Sequence, residues 1–302
     1  MASIVSQGSE ARLLQEGINA IATIEYKDYE MESSKIFETY NSEKAYEMDV
    51  SLTGTGLASL KPEGDSTAYD GEKQDFATTY THAVYSLGTI ITMEAAMNNL
   101  YRDLVAKSGK LLKRSLIHTD EQLAANVINN AYDTNFALGD GQPLFSTSHV
   151  LGKGGTFSNR FTVFTPLSQA AVEDATIAIE DYRDGAGLLI DARAMSLHIP
   201  RQLRYTADRI LASRFEPNTA NTATVNPVAS IFPNGYHVNH RFTSATEWFI
   251  KTDVDDGFKI FDRMGYTFKQ DDDFGTSNYR HKGMFYKSYG VTDPRAAYGS
   301  GQ

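Results

Sequence analysis

The stretch Met48-Asp-Val-Ser-Leu-Thr-Gly-Thr-Gly56, continued by Lys61-Pro-Glu-Gly-Asp65, has the composition of a long hairpin. Its descending limb lies near Met48–Leu52, its tip includes Gly54, Gly56, Pro62 and Gly64, and its return runs near Phe76–Tyr85. Thr, Val, Tyr and Phe in the limbs with Gly and Pro between them are the strand-and-turn signature. Connections longer than about 12–15 residues are usually functional or disordered. This one keeps enough apolar and aromatic residues to become ordered against a partner, and the economical partner is another copy of the chain.

Helical sequence follows the hairpin. A helix is predicted after Thr92, with Glu94 favouring its first turn and a stripe of Met93, Met97, Leu100, Tyr101, Leu104, Leu111 and Leu112, weakened or ended at Gly109. Thr119 with Gln122 three residues on reads as a capping box that starts a second helix carrying Leu123, Val127, Ile128 and Ala131. Thr165-Pro166 opens a third, with Val172, Ala175 and Ile179 as its core face and Gly185 beyond its end. Leu188–Ile199 alternates as a strand or two, and Leu203–Leu211 returns to helical spacing. The last seventy or so residues read as strands separated by acidic turns at Asp253–Gly257 and Asp271–Gly275. Ahead of the hairpin, Glu10–Ala22 carries a short amphipathic pattern. The aromatic and acidic run Tyr26–Tyr46 reads as an extended arm lying on a partner. Helices and strands without a βαβ rhythm make the class α+β.

Charge and composition narrow the function. With 28 basic and 38 acidic residues the chain carries −10, which argues against a protein built to grip phosphates. The absence of cysteine excludes disulfides, thiolate metal sites and thiol nucleophiles. Met1-Ala-Ser-Ile-Val-Ser-Gln-Gly8 has no secretory character, and no run approaches the ~18 apolar residues of a membrane span.

No constellation of reactive side chains commands attention. His149 follows Ser146-Thr-Ser148, but there is no G-x-S-x-G elbow to present a nucleophile. His237-Val-Asn-His240 has half the makings of a metal site, without the helical HExxH spacing or its glutamate. His118-Thr-Asp-Glu121 is accounted for as a helix cap, Gly152-Lys-Gly-Gly155 as a surface turn, and Asp271-Asp-Asp273 as a solvated turn. The chain is therefore read as non-enzymatic, with no catalytic, metal or cofactor residue assigned. The competing reading is a hydrolase or metal-dependent enzyme using His149, or His237 with His240.

Several features stand in a recognisable order: the hairpin ending in Tyr85-Ser-Leu-Gly-Thr-Ile-Ile-Thr-Met-Glu94, then Leu138-Gly-Asp-Gly-Gln-Pro-Leu-Phe-Ser-Thr-Ser-His149. After them come Ile199-Pro-Arg-Gln-Leu-Arg-Tyr-Thr-Ala207, Asn226-Pro227, Trp248-Phe-Ile250 and Tyr289-Gly-Val-Thr-Asp-Pro-Arg295. Together they resemble the major capsid proteins of tailed bacteriophages, especially the Mu-like major head subunit group with the Hong Kong 97-like capsid fold. The resemblance implies an N-terminal arm (residues 1–45), an E-loop (46–85), a peripheral or P-domain with a spine helix (86–134), an axial or A-domain (135–241), and a C-terminal part returning to the P-domain (242–302). It implies an icosahedral head built from hexamers and pentamers of this chain, assembled in the host cytoplasm around double-stranded DNA bound without sequence specificity. An encapsulin-like compartment would share the fold. No coiled-coil segment precedes the arm, so scaffolding is expected from a separate protein, beside a portal and a decoration protein. Within this frame Pro62, Gly64 and Tyr69 shape and dock the E-loop, and Met97, Leu100, Tyr101 and Leu104 hold the spine helix. Lys61 and Lys73 lie where some relatives form covalent crosslinks, but no motif singles either out.

Overall fold

The computed structural model describes residues 31–71, 74–94, 102–213 and 225–301, with the backbone alone over 102–108. The Glu10–Ala22 pattern lies outside them, as do Met97, Leu100 and Tyr101; Leu104 falls where only the backbone is described.

Two four-stranded sheets carry the fold. In the first, β1 (Glu38–Asn41), β10 (Phe258–Asp272), β11 (Tyr279–Val291) and β4 (Ala83–Ile91) lie in the order β1-β10-β11-β4. The second has the order β12-β9-β7-β8, from β7 (Ala194–Pro200), β8 (Tyr236–Asn239), β9 (Trp248–Thr252) and β12 (Ala297–Ser300). β2 (Tyr46–Leu52) and β3 (Gln74–Thr81) form the expected hairpin, with Tyr46 opposite Thr81. The short pair β5 (His149–Val150) and β6 (Thr156–Phe157) completes the strands.

The helices occupy one face of each sheet. α1 (Arg102–Asn129) packs on β11 and β4. α2 (Gln169–Glu180) buries Val172, Ala175 and Ile179 as its periodicity requires, and joins α3 (Arg204–Leu211) in a core with Leu197, Ile199, Trp248 and Ile250. A second core, between the sheets, gathers Ile36, Phe37, Ala124, Ile128, Phe145, Phe249 and Phe258.

Four sequence expectations change. α1 is one continuous helix, passing through both Gly109 and the supposed second start. Thr119 is no cap: its hydroxyl donates to the Ser115 carbonyl one turn back at 2.9 Å, an alternative open to Thr inside a helix. Second, α2 begins at Gln169, three residues beyond Pro166, because the Ser168 hydroxyl caps it by accepting from the Ala171 amide at 3.2 Å. Third, the return limb of the hairpin is two strands in different sheets. They part at buried His82, whose ring nitrogens bond the Ser288 and Ser42 hydroxyls at 2.9 and 3.2 Å.

Finally, from Met31 onward the arm folds into its own chain. Ile36 and Phe37 are buried, Phe37 meets Phe258 edge to face at 5.4 Å, and β1 pairs parallel with β10. Ile36 and Phe37 anchor this segment in the chain's own core, while Tyr40 and Tyr46 stay exposed, and the Glu32 and Ser33 amides donate to Glu121. Of the expected arm, Tyr26–Glu30 lies outside the described residues.

Candidate assembly surface

The hairpin β2–β3 projects a one-sided strand. Along β2 burial alternates, and the outward set Tyr46, Met48, Val50 and Leu52 is exposed. Alternation puts such a set on one face. Beyond Leu52 the tip runs without regular structure, and Leu57, Leu60 and Tyr69 stand almost wholly in solvent, the last two 93% exposed. Pro62–Asp65 makes a turn closed by the Asp65 amide on the Pro62 carbonyl at 3.3 Å. Gly64, third in that turn, has φ +86°, a conformation that excludes most side chains.

The inward side of the hairpin is seated on its own chain by glycines. A Cβ at Gly152 would lie 2.4 Å from Thr53 Cγ2 and 2.7 Å from Asp75 Oδ2; at Gly139, 2.9 Å from the Ala77 carbonyl; at Gly185, 2.9 Å from the Thr53 carbonyl. The turn Gly152-Lys-Gly-Gly155 is thus part of a cradle, and Lys153 reaches back to Asp70 of the tip at 2.8 Å. Asp70 also accepts from the Gly56 and Gly71 amides at 2.8 and 2.9 Å. The Lys153 ammonium, then the Gly56 amide, hold its carboxyl down to about 2. Asp75, wedged in the cleft under the hairpin with Asp140, Asp184 and Arg295, has its carboxyl pushed up by burial, with Arg295 pulling the other way.

At the hairpin base, Asp49 accepts from Lys259 Nζ at 2.7 Å and from the Thr292 hydroxyl at 2.9 Å. Asp256 gives Lys259 a second carboxylate at 2.6 Å. Burial opposes the charge on Lys259, but Asp256 and Asp49 more than offset it and hold its ammonium above the usual lysine range.

The histidines proposed for chemistry are structural here. Buried His149 bonds Asp140 Oδ2 at 2.6 Å through Nδ1 and the Leu144 carbonyl at 3.2 Å through Nε2, which fixes the loop carrying Gly139. Both ring nitrogens are thereby engaged, and the Ser146 hydroxyl turns to Gln142 and Ser148. His240 bonds Glu32 at 2.6 Å, and the His237 ring lies against His198, centroids 5.3 Å apart. Among the described residues no cluster of His, Asp and Glu could hold a metal ion, and no helix is long and apolar enough to cross a membrane.

A hairpin cradled on one side, open and apolar on the other, is the outline of a building block. A family model described as phage capsid protein matches residues 75–300. The chain belongs to the phage capsid protein family. This capsid protein has solved structural neighbours of low sequence identity. The capsid of bacteriophage JBD30 aligns with TM-score 0.58 at 11% identity, over 80% of this chain and 100% of that one. The capsid of a native GTA particle gives 0.57 at 14%, over 98% of both chains, and that of cyanophage P-SCSP1u 0.57 at 12%, over 93% and 91%. No curated protein matches it in sequence. The fold is the Hong Kong 97-like α+β fold, and the chain is a major capsid protein that associates with itself to form the icosahedral shell of a phage virion.

Sequence reasoning missed the residues that join the parts of this capsid protein. Asp120, read as part of a helix start, accepts from Lys287 Nζ at 2.8 Å, from the Tyr289 hydroxyl at 2.5 Å, and from the Tyr266 hydroxyl. Burial, then the charge of Asp120, raises the Tyr289 phenol; burial, then its hydrogen bond to Asp120, raises Tyr266. Glu121 beside it holds the Ser33 hydroxyl at 2.6 Å and Arg241 at 3.4 Å. These two adjacent acids bind α1 to one sheet, to the arm and to the loop after β8.

Proposed function

We propose that the outward face of the hairpin is the E-loop surface by which each subunit of the shell overlaps its neighbours. The observation that carries this is the run of exposed Tyr46, Met48, Val50 and Leu52 on a strand whose other face is already seated. Covering what each of these side chains still exposes contributes roughly 1 kcal/mol apiece, repeated at every copy in a closed shell. Pro62 and Gly64 shape the tip, and Tyr69 docks it on the neighbour.

On this reading residues 1–45 form the arm, 46–85 the E-loop, 86–134 the P-domain with its spine helix, 135–241 the A-domain and 242–302 the returning part. Met97, Leu100, Tyr101 and Leu104 seat the spine helix. The shell assembles in the host cytoplasm as hexamers and pentamers with a separate scaffolding protein, a portal and a decoration protein, around double-stranded DNA held without sequence preference. The similar JBD30 capsid is described as decorated with minor capsid protein trimers, which supports the last of these partners. The acidic balance of −10 suits a container that must not adsorb its genome.

Deleting residues 54–71 tests the proposal. The remaining subunit is expected to stay folded, because both cores lie outside that segment, and to form no shells. Normal particles from the deletion would overturn the assignment.

A further inference from the structure

Two helix faces on the β12-β9-β7-β8 layer are left uncovered, and their charges are opposite. On α2, Ile177 is 67% exposed. Glu173, Asp174, Glu180 and Asp181 stand three and four residues to either side of it, the spacing at which helix side chains are neighbours. Glu180 and Asp181 crowd the C-terminal end, where the helix dipole is already negative and no basic residue occupies the last turn. Of these acids the exposed Arg183 reaches Asp181, at 3.4 Å, while its other nitrogen donates to the Gly187 carbonyl at 3.1 Å.

On α3 the pattern is inverted. Tyr205 is 74% exposed beside exposed Arg201, Arg204 and Arg209. The positive N-terminal end of this helix has no acid in its first turn. Asp208, its one carboxylate, accepts from the Tyr236 hydroxyl at 2.5 Å. Among the described residues none of the three arginines forms an ion pair; Arg209 donates to the Tyr205 carbonyl at 3.1 Å, and Arg204 donates to the Tyr236 hydroxyl that Asp208 holds. Each face is electrostatically unfavourable by itself and favourable against the other.

Their placement fits a repeated contact. Both helices pack on the same sheet face, in one core. The chain leaving α2 sits at the β12 edge, where the Tyr182 hydroxyl donates to the Ala297 carbonyl at 3.1 Å. α3 sits at the β8 edge, through Tyr236. Complementary patches at opposite edges of one subunit are what a head-to-tail ring requires.

We propose that within each ring of copies the α3 face of one subunit docks on the α2 face of the next, Tyr205 against Ile177 and the arginines against the surrounding carboxylates. The proposal rests on the shell reading and names the contact that closes its rings. An aromatic and arginine patch opposite an apolar centre with an acidic rim is ordinary interface chemistry.

The chain has no cysteine, so a designed pair reports cleanly. Assemblies of the full chain carrying Ile177→Cys with Tyr205→Cys, mildly oxidised, are expected to give a ladder of disulfide-linked multimers, and each single variant only monomers. Assembled particles of the double variant that stay monomeric on denaturing gels, or dimers from Ile177→Cys alone, overturn the contact. Independently, Arg204→Glu with Arg209→Glu, and Glu180→Lys with Asp181→Lys, are each expected to lose particles while subunit melting stays unchanged. The four changes together are expected to restore particles, and failure to restore them overturns the proposal. Arginine-reversed particles formed in normal number but short of DNA would assign those arginines to the genome and also overturn it. If the unmodified chain never assembles, the shell reading itself has failed, which is a different result.

Discussion

Asp120 on α1 and Lys287 on β11 meet as a buried ion pair, Oδ2 to Nζ 2.8 Å, in the layer between helix and sheet. The Tyr289 and Tyr266 hydroxyls complete the carboxylate's partners. Taking two charges out of water is costly, and removing Asp120 leaves the buried Lys287 with only the longer contact to Asp262, at 3.6 Å. Asp120→Ala should therefore destabilise the subunit by about 3–5 kcal/mol. Denaturant melting checks this, and a loss under ~1 kcal/mol would mean the pair is far better solvated than its burial indicates.

The glycine cradle makes a sharper claim about position. Gly152→Ala puts a methyl 2.4 Å from the Thr53 methyl and 2.7 Å from the Asp75 carboxylate. Overpacking of this kind costs roughly 1–3 kcal/mol. The cheapest relief is to lift the hairpin, so assembly should fail well before the subunit melts. Particle counts and melting on the same preparation separate the two effects; equal loss in both would show that the cradle supports the whole fold.

Lys259 holds the base of the hairpin through Asp49 and Asp256. Lys259→Met removes that tether and leaves Asp49 with only the Thr292 hydroxyl. Limited proteolysis of unassembled subunits should then cut residues 53–71 faster than in the unmodified chain, while cutting in the β10–β11 hairpin tip stays the same. Uniformly faster cutting would point to global loosening.

Acid should weaken the subunit through His198. This ring is fully buried against Phe249 and His237 and bonded to the Ser196 hydroxyl at 2.9 Å. Burial, and after it His237 and Lys251, hold its pKa well below the ordinary histidine value. The unfolded chain takes up this proton near pH 6.5 and the folded chain does not. The stabilisation is complete above that pH and falls as pH drops toward the folded value, by up to about 1.4 kcal/mol per unit. His198→Gln should flatten the slope of melting temperature against pH below 6.5; an unchanged slope would place the acid sensitivity elsewhere.

How much of this could be read from the chain depended on how local the cause was. The hairpin was legible because turn residues and alternation are short-range signals. The core face of α2 was legible because Val172, Ala175 and Ile179 keep helical spacing. The continuity of α1 was misread for the same reason: Thr119 and Gln122 satisfy a capping pattern that an uninterrupted helix also permits. A better signal was available in the buried four-residue stripe Leu112, Leu116, Ala124 and Ile128, whose missing place is Asp120. A carboxylate on a core stripe demands a distant cation, and its identity as Lys287 is a tertiary fact. The arm was misjudged likewise, since the partners of Ile36 and Phe37 lie far away in sequence, in β10 and α1.

Electron cryomicroscopy of assembled particles tests most directly whether sister copies complete this subunit. The density should show Tyr46, Met48, Val50 and Leu52 covered by an adjacent copy, with residues 53–71 following that neighbour's surface. Particles in which this strand face points into open solvent, with the hairpin touching only its own chain, would contradict the account.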